Sequence, residues 1–579
     1  MKKENRIFAV AAILVIMIDV LFAQDEVYKI SPANTVVLLA AVLTANVAVI
    51  CMNKSKEIYS LVQSVSMVAL LFLAMVWSTV FVRLHYVDSI PVIQMLTIGL
   101  GFVLLAFVAV WALRYRDVTE EGIFLLLMMG LMLRTYYVVM TQAHIYQNDT
   151  GTILSDLGGH LGYVRYIVGN HALPDFDPVT RHQFYQPPLY YVITAVWVRL
   201  HTMFGMSLER VDESIQLLSL FYSVVSLGYL NKIGLRLKIS ALGRFLGLGI
   251  AVFLPYGIMM SGSTNNDALM LMFMIMSVYY TVKWYQDSKL LDILWMGLTI
   301  GCAMMTKISG VLIAPGIACI MLYKAWKERQ QWRKYLGWFA AFGAVAFPLG
   351  LWHPLKSLLV YGMPLGYVPN MGTDSSQYIG MYQGVERIFG VGDQLKELCL
   401  HWDVYAPYID YNIPISLVKF SVFGEGVYHL CNEVVLMMGN WTFWFTVVIF
   451  GIMAVGNVIG FFQKNQAPIF RISLGIMIFV IMFSYINFCY MYPHVCTMHV
   501  RYVMAALYLG ALGAGAAVSG FEEKLQDCKL QDNKPQGNSK LQGKKRLRVA
   551  VSVAVVVFIC IYGVLSVLLN WNMEILLQS

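Results

Sequence analysis

A chain of 579 residues that is 59% hydrophobic and 13% charged, with a mean hydropathy of +0.66, is solvated mostly by lipid, which excludes an ordinary soluble enzyme. The net charge of +8 sits largely in loops between apolar runs, so it is a topology signal and no footprint for nucleic acid. The apolar runs are helix-length, about 17–25 residues, unlike the alternating segments of an outer-membrane barrel, and the nine cysteines lack metal-ligand spacing.

The chain is therefore expected to be an all-α polytopic membrane protein. Met1-Lys2-Lys3 leads into the run Ile7–Phe22 with no small-residue cleavage site, so this run reads as a first span. Candidate spans are Arg6–Gln24, Asn34–Asn53, Tyr59–Val82, Ile90–Leu113 and Gly122–Gln142. Lys2, Lys3 and Arg6, then Lys54 and Lys56, then Arg114 and Arg116 fall on one side, which the positive-inside rule makes the cytoplasm. Five crossings then place the polar stretch His144–Tyr191 outside.

Pro187–Phe204 looks like a sixth span, yet a crossing there would put Lys232, Arg236 and Lys238 outside, together with Lys324, Lys327, Arg329, Arg333 and Lys334. It is read instead as a helix on the outer surface, with Arg199 and His201 in the interface. The following spans are Ser214–Gly234, Ala241–Met260, Asp267–Tyr285, Leu290–Thr306, Ile308–Tyr323 and Lys334–Trp352. His353–Glu433 becomes a second large external loop. Val434–Phe461, Ile469–Tyr490 and Val500–Gly520 follow, then a basic cytoplasmic loop, Phe521–Arg548, and a last span, Val549–Leu569.

The total is about fifteen crossings at ~20 apolar residues each. The organisation is thus a four-span extension (1–116), a core (117–352) with an external loop at 143–211, the second loop (353–433), further core spans (434–520), the basic loop (521–548) and a last span with an external tail (549–579).

The external stretch holds the chemistry. A helix over Ser155–Val168 would put Asp156, His160 and Tyr163 on one face at i, i+4 and i+7. A carboxylate there can take a proton from an acceptor hydroxyl, with the imidazole tuning it. Equally, Ser155 and Asp156 are good N-cap residues, and Asp149 competes for the base role. Asn148-Asp149-Thr150 and Asn440-Trp441-Thr442 match glycosylation sequons. Gln186-Pro187-Pro188 fixes an extended lead into the next helix.

Polar groups recur at the outer ends of later spans: Asn265-Asn266-Asp267, Lys307, and Arg501-Tyr502. Lys307 and Arg501, with Arg165 of the loop, suit a phosphate at the lipid surface; the bland alternative is snorkelling. A divalent cation on Asp149, Asp156 and His160 is a further alternative.

The run Asp156-Leu-Gly-Gly-His160-Leu-Gly-Tyr163-Val-Arg165-Tyr166-Ile, then Leu173-Pro174 and Gln186-Pro-Pro-Leu-Tyr-Tyr191, resembles the first external loop of GT-C-fold glycosyltransferases. Within that class it is most similar to the protein O-mannosyltransferase and aminoarabinose-transferase group. Asn266-Asp267-Ala-Leu, Met305-Thr306-Lys307-Ile-Ser-Gly, Tyr361-Gly362-Met-Pro364-Leu, Phe423-Gly424-Glu425 and Arg501-Tyr502 extend the resemblance over roughly Glu121–Gly520.

The resemblance implies a polyprenyl-phosphate-linked sugar as donor, transfer outside the cytoplasm with inversion, and an acceptor glycan, lipid or protein. It makes Asp156 the loop acid and places Asn266 and Asp267, with Tyr163, Gln186 and Tyr502, near the substrates. Lys307 or Arg501 falls near the lipid phosphate. Leu157 follows Asp156 where many members carry Asp-Glu, so the second carboxylate comes from elsewhere or is absent.

Two alternatives stand beside this. One is a carrier of a lipid-linked or polar solute, disfavoured because Asp19 and Arg134 are nearly alone as mid-span charges. The other is a glycan polymerase or ligase using an undecaprenyl-pyrophosphate donor. The expected location is the bacterial plasma membrane.

Overall fold

The structure, a computed structural model, describes scattered residues between 7 and 104, then 118 and 120–576 apart from 144–149, 152–157, 370, 397, 399–409, 425–432, 464–465 and 532–537. Among the described residues the chain is helical, and its one β contact is an isolated bridge between Tyr378 and His494.

The helices are α1 Glu120–Met140, α2 Gly159–Asn170, α3 Leu189–Met203, α4 Leu208–Arg236, α5 Ala241–Phe253, α6 Pro255–Met259, α7 Asp267–Asp287 and α8 Leu290–Thr306. After them come α9 Ala314–Lys327, α10 Trp332–Tyr361, α11 Ile413–Phe423, α12 Glu433–Phe462, α13 Pro468–Met491, α14 Met504–Gln531 and α15 Asn538–Leu576.

Among the described residues eight helices are long and apolar enough to cross a membrane, or nine if α5 and α6, bent by 67°, count as one span. The protein is an integral membrane helical bundle. In lipid, helices satisfy their own backbone polar groups, so close packing decides how they associate. Small residues provide it where α5 meets α14: a Cβ on Gly247 would stand 2.8 Å from the Ala511 carbonyl, and Gly243 lies against Gly515.

The bundle has two chemically different ends. At the basic end Arg236 pairs with Asp287 at 2.8 Å, Lys283 with Asp292 at 2.6 Å, and Arg244 with Glu120. There too Lys324 closes the C-terminus of α7, donating to the Trp284 carbonyl at 3.2 Å and to Ser288 Oγ at 2.5 Å. At the other end α1 meets the start of α4: Gln216 donates to the Thr141 carbonyl at 3.1 Å, and the Ala143 amide donates to Glu213 at 2.9 Å.

Helix α3 has 15 residues and is not among the spans long and apolar enough to cross. Trp197 Nε1 donates to Ser214 Oγ at 3.0 Å, so α3 lies along the first turns of α4 at the end where α1 finishes.

The expected limits of Asp267–Tyr285, Leu290–Thr306, Val434–Phe461 and Ile469–Tyr490 agree with α7, α8, α12 and α13 to within a few residues, whereas Ala241–Met260 is broken at Leu254, α9 begins at Ala314 after a 3₁₀ turn from Ile308, and α4 and α8 are not among the helices long and apolar enough to cross. Residues 521–531 and 538–548, expected to form a basic loop, prolong α14 and α15 as helix. The second loop is also more built than its Gly- and Pro-rich composition suggests. Helix α10 extends to Tyr361, and Asn412 caps the buried α11 through the Ile415 amide at 2.9 Å. The loop is tied down by bonds from the Ile379 amide to the Pro493 carbonyl (2.9 Å) and from Arg387 to the Cys489 carbonyl (2.5 Å).

The four spans expected in the N-terminal extension lie largely outside the described residues. Their described pieces pack on the core: Thr79 bonds Tyr136 at 2.8 Å, Thr97 donates to Asn572 at 3.1 Å, and Phe8 contacts Tyr229.

Candidate active site

At the end of the bundle away from the basic cluster, loop segments bring together most of the polar residues singled out above. Helix α8 stops at Thr306, and Lys307 is extended before a 3₁₀ turn over Ile308–Ile313. The turn is tight: a Cβ on Gly310 would lie 2.7 Å from the backbone of Ala303. Lys307 Nζ therefore leaves the helix end and meets Asp267 Oδ1, on the first turn of α7, at 2.6 Å. Asp267 is itself fixed by its amide, which donates to Asn265 Oδ1 at 3.0 Å.

The same ammonium lies 5.2 Å from the centre of the Tyr502 ring, a cation–π distance. Arg501 donates to the Tyr502 hydroxyl at 3.3 Å, and Asp267 lies within electrostatic reach of Arg501 and His160 as well as Lys307. Asn266, buried, donates to the Thr306 carbonyl at 3.0 Å and to Gln186 Oε1 at 3.4 Å, which joins the Gln186-Pro-Pro step to both helix ends. Its Oδ1 is buried and accepts no hydrogen bond among the described residues. A substrate hydroxyl would satisfy it.

Beside this cluster is an aromatic shelf. His160 Nδ1 and the Tyr191 hydroxyl share a hydrogen bond of 2.8 Å, Tyr163 stacks on Tyr191 at 4.0 Å, and Phe184 stacks on Tyr163 at 4.5 Å. Burial pushes the Tyr163 and Tyr191 hydroxyls well above the usual tyrosine range, so both stay protonated at neutral pH. The Asp267 carboxylate adds to the rise at Tyr191, which ties the shelf electrostatically to the Lys307 cluster.

The expected helix over Ser155–Val168 begins later, at Gly159, and its N-cap is Gly158, with no side-chain cap bond. Asp149 and Asp156 lie outside the described residues, so the face that was to carry Asp156 is described only through His160 and Tyr163.

The two ends of segment 152–157 are described, and they come together. The Leu161 amide donates to the Thr150 carbonyl at 2.7 Å and the Gly159 amide to the His182 carbonyl at 3.0 Å. Gly159 has φ +80°, and a Cβ there would stand 2.5 Å from the Gly151 nitrogen, so glycine at this position is required by close backbone approach.

Arg165 is half-buried on α2 and makes no ion pair or hydrogen bond to the cluster among the described residues. Of the expected metal set only His160 is described, since Asp149 and Asp156 lie outside the described residues; among those described no group of three or more His, Cys, Asp or Glu could hold a metal ion. Asn440 of the second sequon is inside the membrane-length helix α12. Cys489 and Cys496 form no disulfide with each other.

Two participants were missed in the sequence. His499 is buried; its Nδ1 accepts the Arg501 amide at 3.1 Å and so caps the 3₁₀ turn that presents Arg501, while its ring packs on Tyr256 and Phe420. The signal available was a histidine two residues before an arginine at the start of a span. The other is Tyr191, visible only as the end of the Gln186–Tyr191 motif.

An all-α bundle in the membrane, with cations, amides and tyrosines converging at one end, belongs to the class of polytopic membrane enzymes. Residues 186–352 match the profile of the family described as dolichyl-phosphate-mannose-protein mannosyltransferase. The protein is therefore a membrane glycosyltransferase carrying a domain of that kind, and the match takes in Gln186, Asn266, Asp267 and Lys307. No match is found among curated proteins. The crystal structure of ArnT from Cupriavidus metallidurans bound to undecaprenyl phosphate is similar with a TM-score of 0.45 at 12% identity, covering 79% of this chain and 78% of that one. The apo form of the same protein gives a TM-score of 0.43 at 12% identity, covering 78% and 77%.

Proposed function

We propose that this protein, with a GT-C-type core, transfers a sugar from a polyprenyl-phosphate-linked donor to an acceptor hydroxyl on the extracytoplasmic face of the membrane. The convergence of Lys307 and Arg501 around Asp267 and Tyr502, at the end opposite the basic cluster, carries the reading. The description of the family matched by residues 186–352 supports the donor class, since dolichyl-phosphate-mannose is a polyprenyl-phosphate sugar. The positive-inside rule supplies the side, because Arg236 and Lys324 lie at the far end.

In the reaction the acceptor oxygen attacks the anomeric carbon with inversion. The carbon–oxygen bond to the phosphate breaks, and its electron pair stays on the leaving polyprenyl phosphate. Asp156 takes the acceptor proton. Lys307 and Arg501 stabilise the negative charge that grows on the leaving oxygen, where fixed donors act most strongly. Asp267 is held against Lys307 and serves to aim it, while Asn266 Oδ1 accepts from a sugar hydroxyl.

Lipid mass spectrometry on membranes with the protein, without it, and with Asp156→Asn tests this. A polyprenyl-phosphate sugar accumulates in the last two, and its mass identifies the donor. Unchanged lipid-linked sugars in both would remove the donor class.

A further inference from the structure

Arg134 is fully buried on α1, in a helix long and apolar enough to cross the membrane. A guanidinium there is costly unless its five N–H donors are all met. Nε donates to Ser223 Oγ at 2.9 Å; Nη1 donates to the carbonyls of Gly130 at 3.2 Å and Val252 at 3.0 Å; Nη2 donates to the Ala251 carbonyl at 3.2 Å and the Tyr508 hydroxyl at 3.5 Å. No carboxylate bonds it among the described residues.

Two of those acceptors explain why it is there. Helix α5 ends at Phe253, Leu254 is extended, and α6 starts at Pro255 and departs at 67°. In an unbroken helix the Ala251 carbonyl would take the amide of residue 255, which as proline has none, and the Val252 carbonyl would take that of Tyr256, beyond the break. Arg134 supplies both missing donors, and Ser566 Oγ donates to the third carbonyl, that of Phe253, at 2.5 Å. Gly257 leaves room for the guanidinium: a Cβ there would stand 3.5 Å from Nη2 and 3.1 Å from the Tyr508 oxygen.

The bent segment leads directly into the site. After α6 and a 3₁₀ turn over Met260–Gly262, the chain reaches Ser263, whose carbonyl accepts from Ser219, and then Asn266 and Asp267. We propose that Arg134 is a positioning residue: it replaces the backbone donors lost at Pro255, holds the bend, and thereby delivers Asn266 and Asp267 to Lys307 and Gln186. The catalytic consequence rests on the donor-site reading above.

The test uses the full-length protein and the variants Arg134→Met, Arg134→Lys, Pro255→Ala and Arg134→Met/Pro255→Ala. Hydrogen exchange over residues 250–267, thermal unfolding and turnover are read in each. Arg134→Met is expected to speed exchange through 263–267 and lower kcat about 10²-fold, as for a misplaced site. Arg134→Lys, with three donors, recovers part of both. Adding Pro255→Ala to Arg134→Met returns one amide to Ala251, so unfolding temperature recovers while turnover does not, because the helix straightens.

Wild-type exchange through 263–267 in both Arg134→Met and Arg134→Lys overturns the proposal, as does restoration of stability and turnover together by Pro255→Ala. If exchange responds as expected while the wild-type protein transfers no sugar from any polyprenyl-phosphate donor, the clamp stands and the donor reading falls. Should Arg134→Met not fold, Arg134→Lys and Pro255→Ala carry the same comparison.

Discussion

Helix α7 carries a lysine–carboxylate pair at each end, both at 2.6 Å: Asp267 with Lys307, and Lys283 with Asp292. At the Lys283 end the neighbouring ion pairs are matched one to one, Arg236 with Asp287 and Arg244 with Glu120, and Lys324 finishes the helix by bonding its carbonyls. At the Lys307 end the carboxylate is shared electrostatically with Arg501 and His160, and the surrounding groups are tyrosines and amides that bind hydroxyls as well as they pack. The same pair fastens helices at one end and, on the proposed function, presents a cation at the other. Neighbourhood decides which, since a buried pair by itself is weak evidence of either role.

Substitutions at the two ends should therefore fail differently. Lys283→Ala leaves Asp292, which is 1% exposed, without its cation, and should lower stability by about 3–5 kcal/mol in thermal unfolding while sparing turnover per folded molecule. Lys307→Ala also strips the cation from a buried carboxylate, Asp267, but Arg501 stays within electrostatic reach of it, so a smaller stability loss of about 1–3 kcal/mol is expected together with a fall in kcat of about 10²–10³-fold. Equal losses of stability from both would dissolve the distinction.

Gly159→Ala tests whether the site end also depends on backbone approach. With φ +80° and the Gly151 nitrogen 2.5 Å from the new Cβ, it should cost about 1–3 kcal/mol and reduce turnover by displacing the Asp156 segment. Normal unfolding and kcat would show that the two glycines do not hold that segment. The smallest effect is expected from Tyr191→Phe, which removes the 2.8 Å bond to His160 at about 1 kcal/mol. A kcat change beyond about tenfold would promote the aromatic shelf from support to chemistry.

Much of this was legible beforehand, for a physical reason. Lipid imposes helices of a fixed length, so hydropathy placed α7, α8, α12 and α13 within a few residues. Polar residues at span ends stood out against apolar neighbours, which is why Asn266, Asp267, Lys307 and Arg501 were named. What misled was local polarity: the basic run after Phe521 reads as loop, yet Lys, Gln and Leu are good helix formers and prolong α14 and α15.

By itself, then, the sequence determined a lipid-solvated helical bundle, the end at which its chemistry gathers, and the residue types present there. Only the tertiary structure decided the pairings: Lys307 with Asp267 across a 40-residue separation, Asn266 with Gln186, His499 under Arg501, and Arg134 with the open end of α5. Span periodicity constrains each helix along its own axis. Rotation and contact between helices come from small-residue packing and from buried donors that must find acceptors, and both are properties of neighbours far apart in the chain.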